Sequence, residues 1–96
     1  TGLYHRDKQS IILIAQVTQI IERISKTKKN FKFAYVELTN RNFNDSFIIF
    51  FERASECKTI NELKQKYLNQ VVIAYLQYNV DYTTWSIQKF IKIIKL

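Results

Sequence analysis

Ile11-Ile12-Leu13-Ile14-Ala15-Gln16-Val17, then Ser25-Lys26-Thr27-Lys28-Lys29-Asn30, then Phe31-Lys32-Phe33-Ala34-Tyr35-Val36-Glu37-Leu38, and soon after Phe47-Ile48-Ile49-Phe50: this stretch decides the fold. Two apolar, strand-like runs flank a loop dense in lysine, and a third run follows closely. Successive side chains of a strand point to opposite faces. Phe31, Phe33 and Tyr35 therefore share one face of the middle run, and Ala34, Val36 and Leu38 share the other. The aliphatic face suits a small core. The aromatic face, with lysines beside it, suits a stack of flat, unsaturated rings such as nucleobases.

Working outward, residues 1–10 mix polar and charged types without a period and read as a loose lead-in. The first strand is expected over 11–24, long enough to call for a bulge or bend within it. The second is expected over 31–39. Asn40, Asn42, Asn44 and Asp45 mark a turn, and the third strand is expected over 46–52. The period then changes. Thr59-Ile60-Asn61-Glu62 matches a capping box, in which the Thr hydroxyl and the Glu carboxylate each satisfy a free backbone N–H. Ile60, Leu63 and Tyr67 fall on one helical face, so a short amphipathic helix over 60–68, ended by Asn69, is expected. A fourth strand over 70–78, a turn over 79–82 and a fifth strand over 83–94 complete the chain. The order is β-β-β-α-β-β in one domain over 11–96. An all-β, five-stranded Greek-key barrel with one helix between strands three and four is the OB-fold arrangement.

Composition narrows the function classes. With 96 residues, 47% hydrophobic and 15% aromatic, the chain can form a core but has little apolar material to spare. Its formal charge is +7 and its isoelectric point about 9.6, a balance that favours an anionic partner. There is one Gly and no Pro, so tight turns are expected to fall on Asn, Asp or Ser. The single cysteine, Cys57, excludes an intrachain disulfide. With His5 as the lone histidine, it also excludes a four-ligand zinc site. An intracellular, reducing setting, cytoplasmic or nuclear, is expected. The longest apolar run, 71–76, is too short to span a bilayer, and no secretory signal pattern opens the chain. A chain that begins with Thr is expected to be a domain or processed fragment of a larger protein.

The stretch from Val17 through Lys28-Lys29-Asn30-Phe31-Lys32-Phe33-Ala34-Tyr35-Val36-Glu37-Leu38-Thr39-Asn40 to Ile48-Ile49-Phe50-Phe51-Glu52 resembles the nucleic-acid-binding OB domain of the bacterial DNA polymerase III alpha subunit. More broadly, it is similar to OB domains of the tRNA-anticodon type. The likeness covers under half the chain and is one of residue types: a strand-one valine, a lysine-rich turn, an alternating second strand and a hydrophobic third strand ending in Phe. Asn30 stands where that family places a turn glycine, and Asn40 where it places an aspartate. The resemblance implies single-strand binding without catalysis by this domain.

Candidate binding residues follow from chemistry. Phe31, Phe33 and Tyr35 are expected to stack bases. Arg23, Lys26, Lys28, Lys29, Lys32 and Arg41 are expected to meet phosphates. Tyr82, in the turn before the fifth strand, is a further candidate, whereas Trp85 reads as a plug at the barrel mouth. Lys89, Lys92 and Lys95 read as charges that guard an edge strand. No catalytic set emerges, because His5 stands alone, Cys57 has no base near it in sequence and no carboxylate pair sits on a motif. No metal or cofactor is implied. Single-stranded DNA, within a replication, repair or telomere-type assembly, is the first ligand expected. An OB-fold subunit that docks another protein through Ile48, Phe50, Ile91, Ile93 and Ile94 is the alternative, and an anticodon-type RNA-binding domain is a third.

Overall fold

A computed structural model describes residues 9–24, 32–80 and 83–95. Five strands, β1 (Ser10–Ile24), β2 (Lys32–Thr39), β3 (Asn44–Ile49), β4 (Val71–Asn79) and β5 (Thr84–Ile94), form a closed barrel in the order β1-β2-β3-β5-β4. All neighbours are antiparallel except β3 and β5, which run parallel and touch through Ile48 opposite Ser86 and Ile49 opposite Ile87. This is the OB-like arrangement. The β3–β5 seam is its shortest pairing.

Alternation along β2 sets the inside. Ala34, Val36 and Leu38 are fully buried, joined by Ala15, Val17 and Ile20 of β1, Val72, Ala74 and Leu76 of β4, and Ile87 and Phe90 of β5. In β1 the buried positions switch from odd numbers to even, from Ala15 and Val17 to Ile20. The cause is a bulge: Val17 pairs with Leu38 and Gln19 with Glu37, leaving Thr18 as the extra residue. That one residue re-aims the rest of the strand, so Ile21 and Arg23 face out opposite Tyr35 and Phe33.

The β3–β4 connection differs from expectation at its start. The third strand ends at Ile49, and Phe51–Ser55 forms a helical turn, α1, ahead of the amphipathic helix α2 (Ile60–Tyr67). The turn buries Phe51 completely in the core. The Ser55 hydroxyl donates back to the Phe51 carbonyl at 2.6 Å, and Glu56 closes the turn in the left-handed region at φ 62°. In α2, the Thr59 hydroxyl accepts from the Glu62 N–H at 3.2 Å, as a capping box requires. The reciprocal half differs, because the Glu62 carboxylate accepts from the Thr59 hydroxyl at 3.4 Å. Leu63 and Tyr67 are buried, and Tyr67 stacks on Phe90 with ring centroids 4.2 Å apart. The helix hands over to β4 through Asn69, at φ 68°. Its N–H donates to the Val17 carbonyl at 2.6 Å, while the Val17 N–H donates to Gln70 at 2.8 Å. These two bonds tie the helix end to the strand that bulges one residue later.

Turn chemistry partly departs from the composition argument. Asn40 behaves as expected: its side-chain oxygen accepts from the N–H groups of Asn42 and Phe43 at 2.7 and 3.1 Å. Of the positive-φ residues among those described, however, Asn69 is the one asparagine, and the others are Glu56 and Thr83. Trp85 is partly buried against the core, edge-on to Tyr78 at 5.4 Å.

Candidate nucleic-acid interface

The outward side chains of β2 meet those of β1 and β3 on one rung after another. Tyr35 lies opposite Ile21 on one side and Ile48 on the other, and Phe33 lies opposite Arg23. Tyr35 is 39% exposed. Its ring stands edge-on to Phe33 at 5.8 Å, and Phe33 in turn leans on Phe50 at 6.1 Å. The Arg23 guanidinium carbon lies 5.9 Å from the Tyr35 ring centre, within cation–π range. The result is an aromatic and aliphatic shelf with a fixed positive charge over one ring. A flat base can stack on such a surface while its phosphate meets the guanidinium.

An acid also lies on this face. Glu37 follows Tyr35 on the outside of β2, and a directed chain of hydrogen bonds engages its carboxylate. The Thr18 hydroxyl donates to Glu37 Oε1 at 2.6 Å. Because that hydroxyl has a single proton, the 3.0 Å contact between the Thr18 and Thr39 hydroxyls must be donated by Thr39. Thr39 accepts in turn from the Asn44 amide at 2.9 Å. The bulge residue thus holds the one outward acid of β2 against the strand pair.

The expected site residues divide by position. Arg23, Phe33 and Tyr35 come together. Arg41 is exposed in the β2–β3 turn, six positions beyond Tyr35 at the other end of β2, a separation of roughly 15 Å or more at strand rise. It is a separate charge. Lys26, Lys28, Lys29, Phe31 and Tyr82 lie outside the described residues, and of Lys32 only the backbone is described, opening β2 opposite Ile24. Ile21 also belongs to the shelf, and alternation alone does not reveal it, since its outward aim depends on the Thr18 bulge. The apolar residues expected at a protein interface also separate. Ile48 joins the shelf, Ile93 packs against the core, and Ile91 lies exposed on the other side of the barrel.

Elsewhere, a shallow cleft of about 410 Å³ is lined by Ser55, Glu56, Cys57, Glu62, Gln65 and Lys66. Cys57 is buried. Tyr67, by charge and by hydrogen bond, holds the Lys66 ammonium above the usual lysine range. No group of three or more His, Cys, Asp or Glu suited to a metal ion occurs among the described residues. None of their helices is long and apolar enough to cross a membrane.

Comparison of the chain with protein families, with curated proteins and with solved structures finds no match in any of the three.

Proposed function

We propose that this chain binds single-stranded nucleic acid across the outer face of β1, β2 and β3, with DNA the favoured ligand and a replication, repair or telomere-type assembly the setting. The observation that carries this reading is the exposed Tyr35 ring, braced edge-on by Phe33 and overlaid by Arg23. OB barrels bind oligonucleotides on the strand 2–3 face and on the loops joining strands 1–2 and 4–5. In this assignment Phe33 and Tyr35 stack bases and Arg23 takes a phosphate. Lys26, Lys28, Lys29 and Lys32, adjacent in sequence, take further phosphates. The domain has no catalytic role. Its basic excess supports the same ligand class.

Fluorescence anisotropy with a labelled single strand of mixed sequence tests the stacking roles. Phe33→Ala and Tyr35→Ala should each weaken binding by about 5- to 150-fold, the equivalent of about 1–3 kcal/mol per stacked base. Arg23→Ala should weaken binding and flatten its salt dependence. Unchanged affinity in all three variants would remove this face from the site.

A further inference from the structure

The far side of the barrel carries a second outward face, on β4, β5 and the first half of β1. Three rungs cross β1, β4 and β5: Ile12–Tyr75–Lys89, Ile14–Ile73–Lys92 and Gln16–Val71–Ile94. Ile12 is 62% exposed and Ile14 56%. Between Phe90 and Lys92 the β4–β5 register slips by one residue, and the extra residue, Ile91, is 46% exposed. None of these isoleucines is needed inside, where Leu13, Ala15, Val72, Ala74, Leu76 and Phe90 already face the core. Contiguous exposed aliphatic residues of this kind mark an interaction surface.

Charge says what covers it. Residues 10–16, β4 and β5 contain no Asp or Glu, while Lys89 and Lys92 stand on the rungs themselves and Lys95 follows β5. We propose that this face docks a protein segment presenting aliphatic anchors flanked by carboxylates, in the form of an amphipathic helix. A second copy of the chain would set these lysines against their own equivalents, with no acid in residues 10–16, β4 or β5 to answer them. Tyr75 is the one ring on these three rungs, where aliphatic residues predominate, whereas the Tyr35 shelf sets two rings side by side. At the centre of the face β4 is paired on both sides, by β1 and β5, so a partner that covers all three strands cannot add to an edge there. The partner must therefore lie across side chains. Three rungs span roughly 14 Å along the strands, which matches a helix of about ten residues.

Selection of a random-peptide display library on the intact chain tests this directly. Enriched peptides should carry aliphatic residues at helical spacing with an excess of Asp and Glu, and should lose at least tenfold in affinity for Ile14→Glu. Lys92→Glu should weaken the same peptides, and both variants should keep wild-type affinity for single strands, since neither touches the shelf. Both sites lie on the barrel exterior, and circular dichroism of each variant checks that the fold is retained. The proposal is overturned if no peptide is enriched, if enriched peptides lack an acidic bias, or if they bind Ile14→Glu as tightly as wild type. Two other outcomes also overturn it: sedimentation showing a dimer that Ile14→Glu dissolves, or anionic vesicles that bind wild type but not Ile14→Glu.

Discussion

Tyr35 and Glu37 are two positions apart on the same outward row of β2, and they pull in opposite directions toward an anionic ligand. The ring offers a stacking surface, whereas the carboxylate repels phosphate, and the Thr18 hydroxyl holds that carboxylate at 2.6 Å. Glu37→Gln removes the repulsion while leaving a side-chain oxygen to accept from Thr18. It should strengthen single-strand binding several-fold at low salt, and the gain should shrink as salt screens the charge. Weaker binding at all salt concentrations would mean that Glu37 makes a favourable ligand contact. Another residue-scale prediction concerns backbone strain. Glu56 ends α1 at φ 62°, where a residue with a Cβ is disfavoured by about 1–2 kcal/mol relative to the right-handed region. Glycine removes that penalty but loses more entropy on folding. Glu56→Gly should therefore raise stability by a net ~0.5–1 kcal/mol. The readout is a melting temperature higher by a few degrees, and a fall would show that Glu56 makes a compensating contact.

At the scale of elements, the two pieces of the β3–β4 connection were unequally legible. Helix α2 was readable because Thr59 and Glu62 mark its start and Leu63 and Tyr67 repeat on its buried face. Thr59→Ala should cost about 1 kcal/mol through loss of the cap. Thermal melting checks this, and an unchanged midpoint would show that the cap contributes nothing here. The helical turn α1 was not readable. Phe47-Ile48-Ile49-Phe50-Phe51 runs on as an unbroken apolar strand in sequence, and a five-residue helix is too short to impose a period. What turns the chain is a tertiary demand, the burial of Phe51 beneath the barrel. In β1 the length alone called for a bulge, but not its place. Thr18 is an ordinary strand residue, and its role emerges only once Val17 is bonded to the α2–β4 junction.

For the whole molecule, the alternation of β2 was enough to reach the closed barrel, because a one-residue slip would expose Ala34, Val36 and Leu38 together. The candidate site was legible in part. Phe33 and Tyr35 follow from that alternation, and Arg23 from the hairpin register once the bulge is counted. Arg41 could not be placed from sequence, since nearness along the chain hid its position at the other end of the strand. The second outward face was hidden too: Ile12, Ile14 and Ile73 look like core residues until the barrel shows which parity points in. With an excess of seven positive charges, binding to a single strand should release counterions at each phosphate met. A salt titration of labelled single-stranded DNA, single-stranded RNA and duplex DNA on the wild-type chain tests the central claim most directly. If three to five of the assigned cations meet phosphates, log affinity for the single strand should fall against log salt with a slope of about −2 to −3.5. Both single strands should outcompete the duplex, and the DNA–RNA comparison assigns the sugar. Equal affinity for duplex and single strands, or single-strand binding too weak to measure at low salt, would contradict the account.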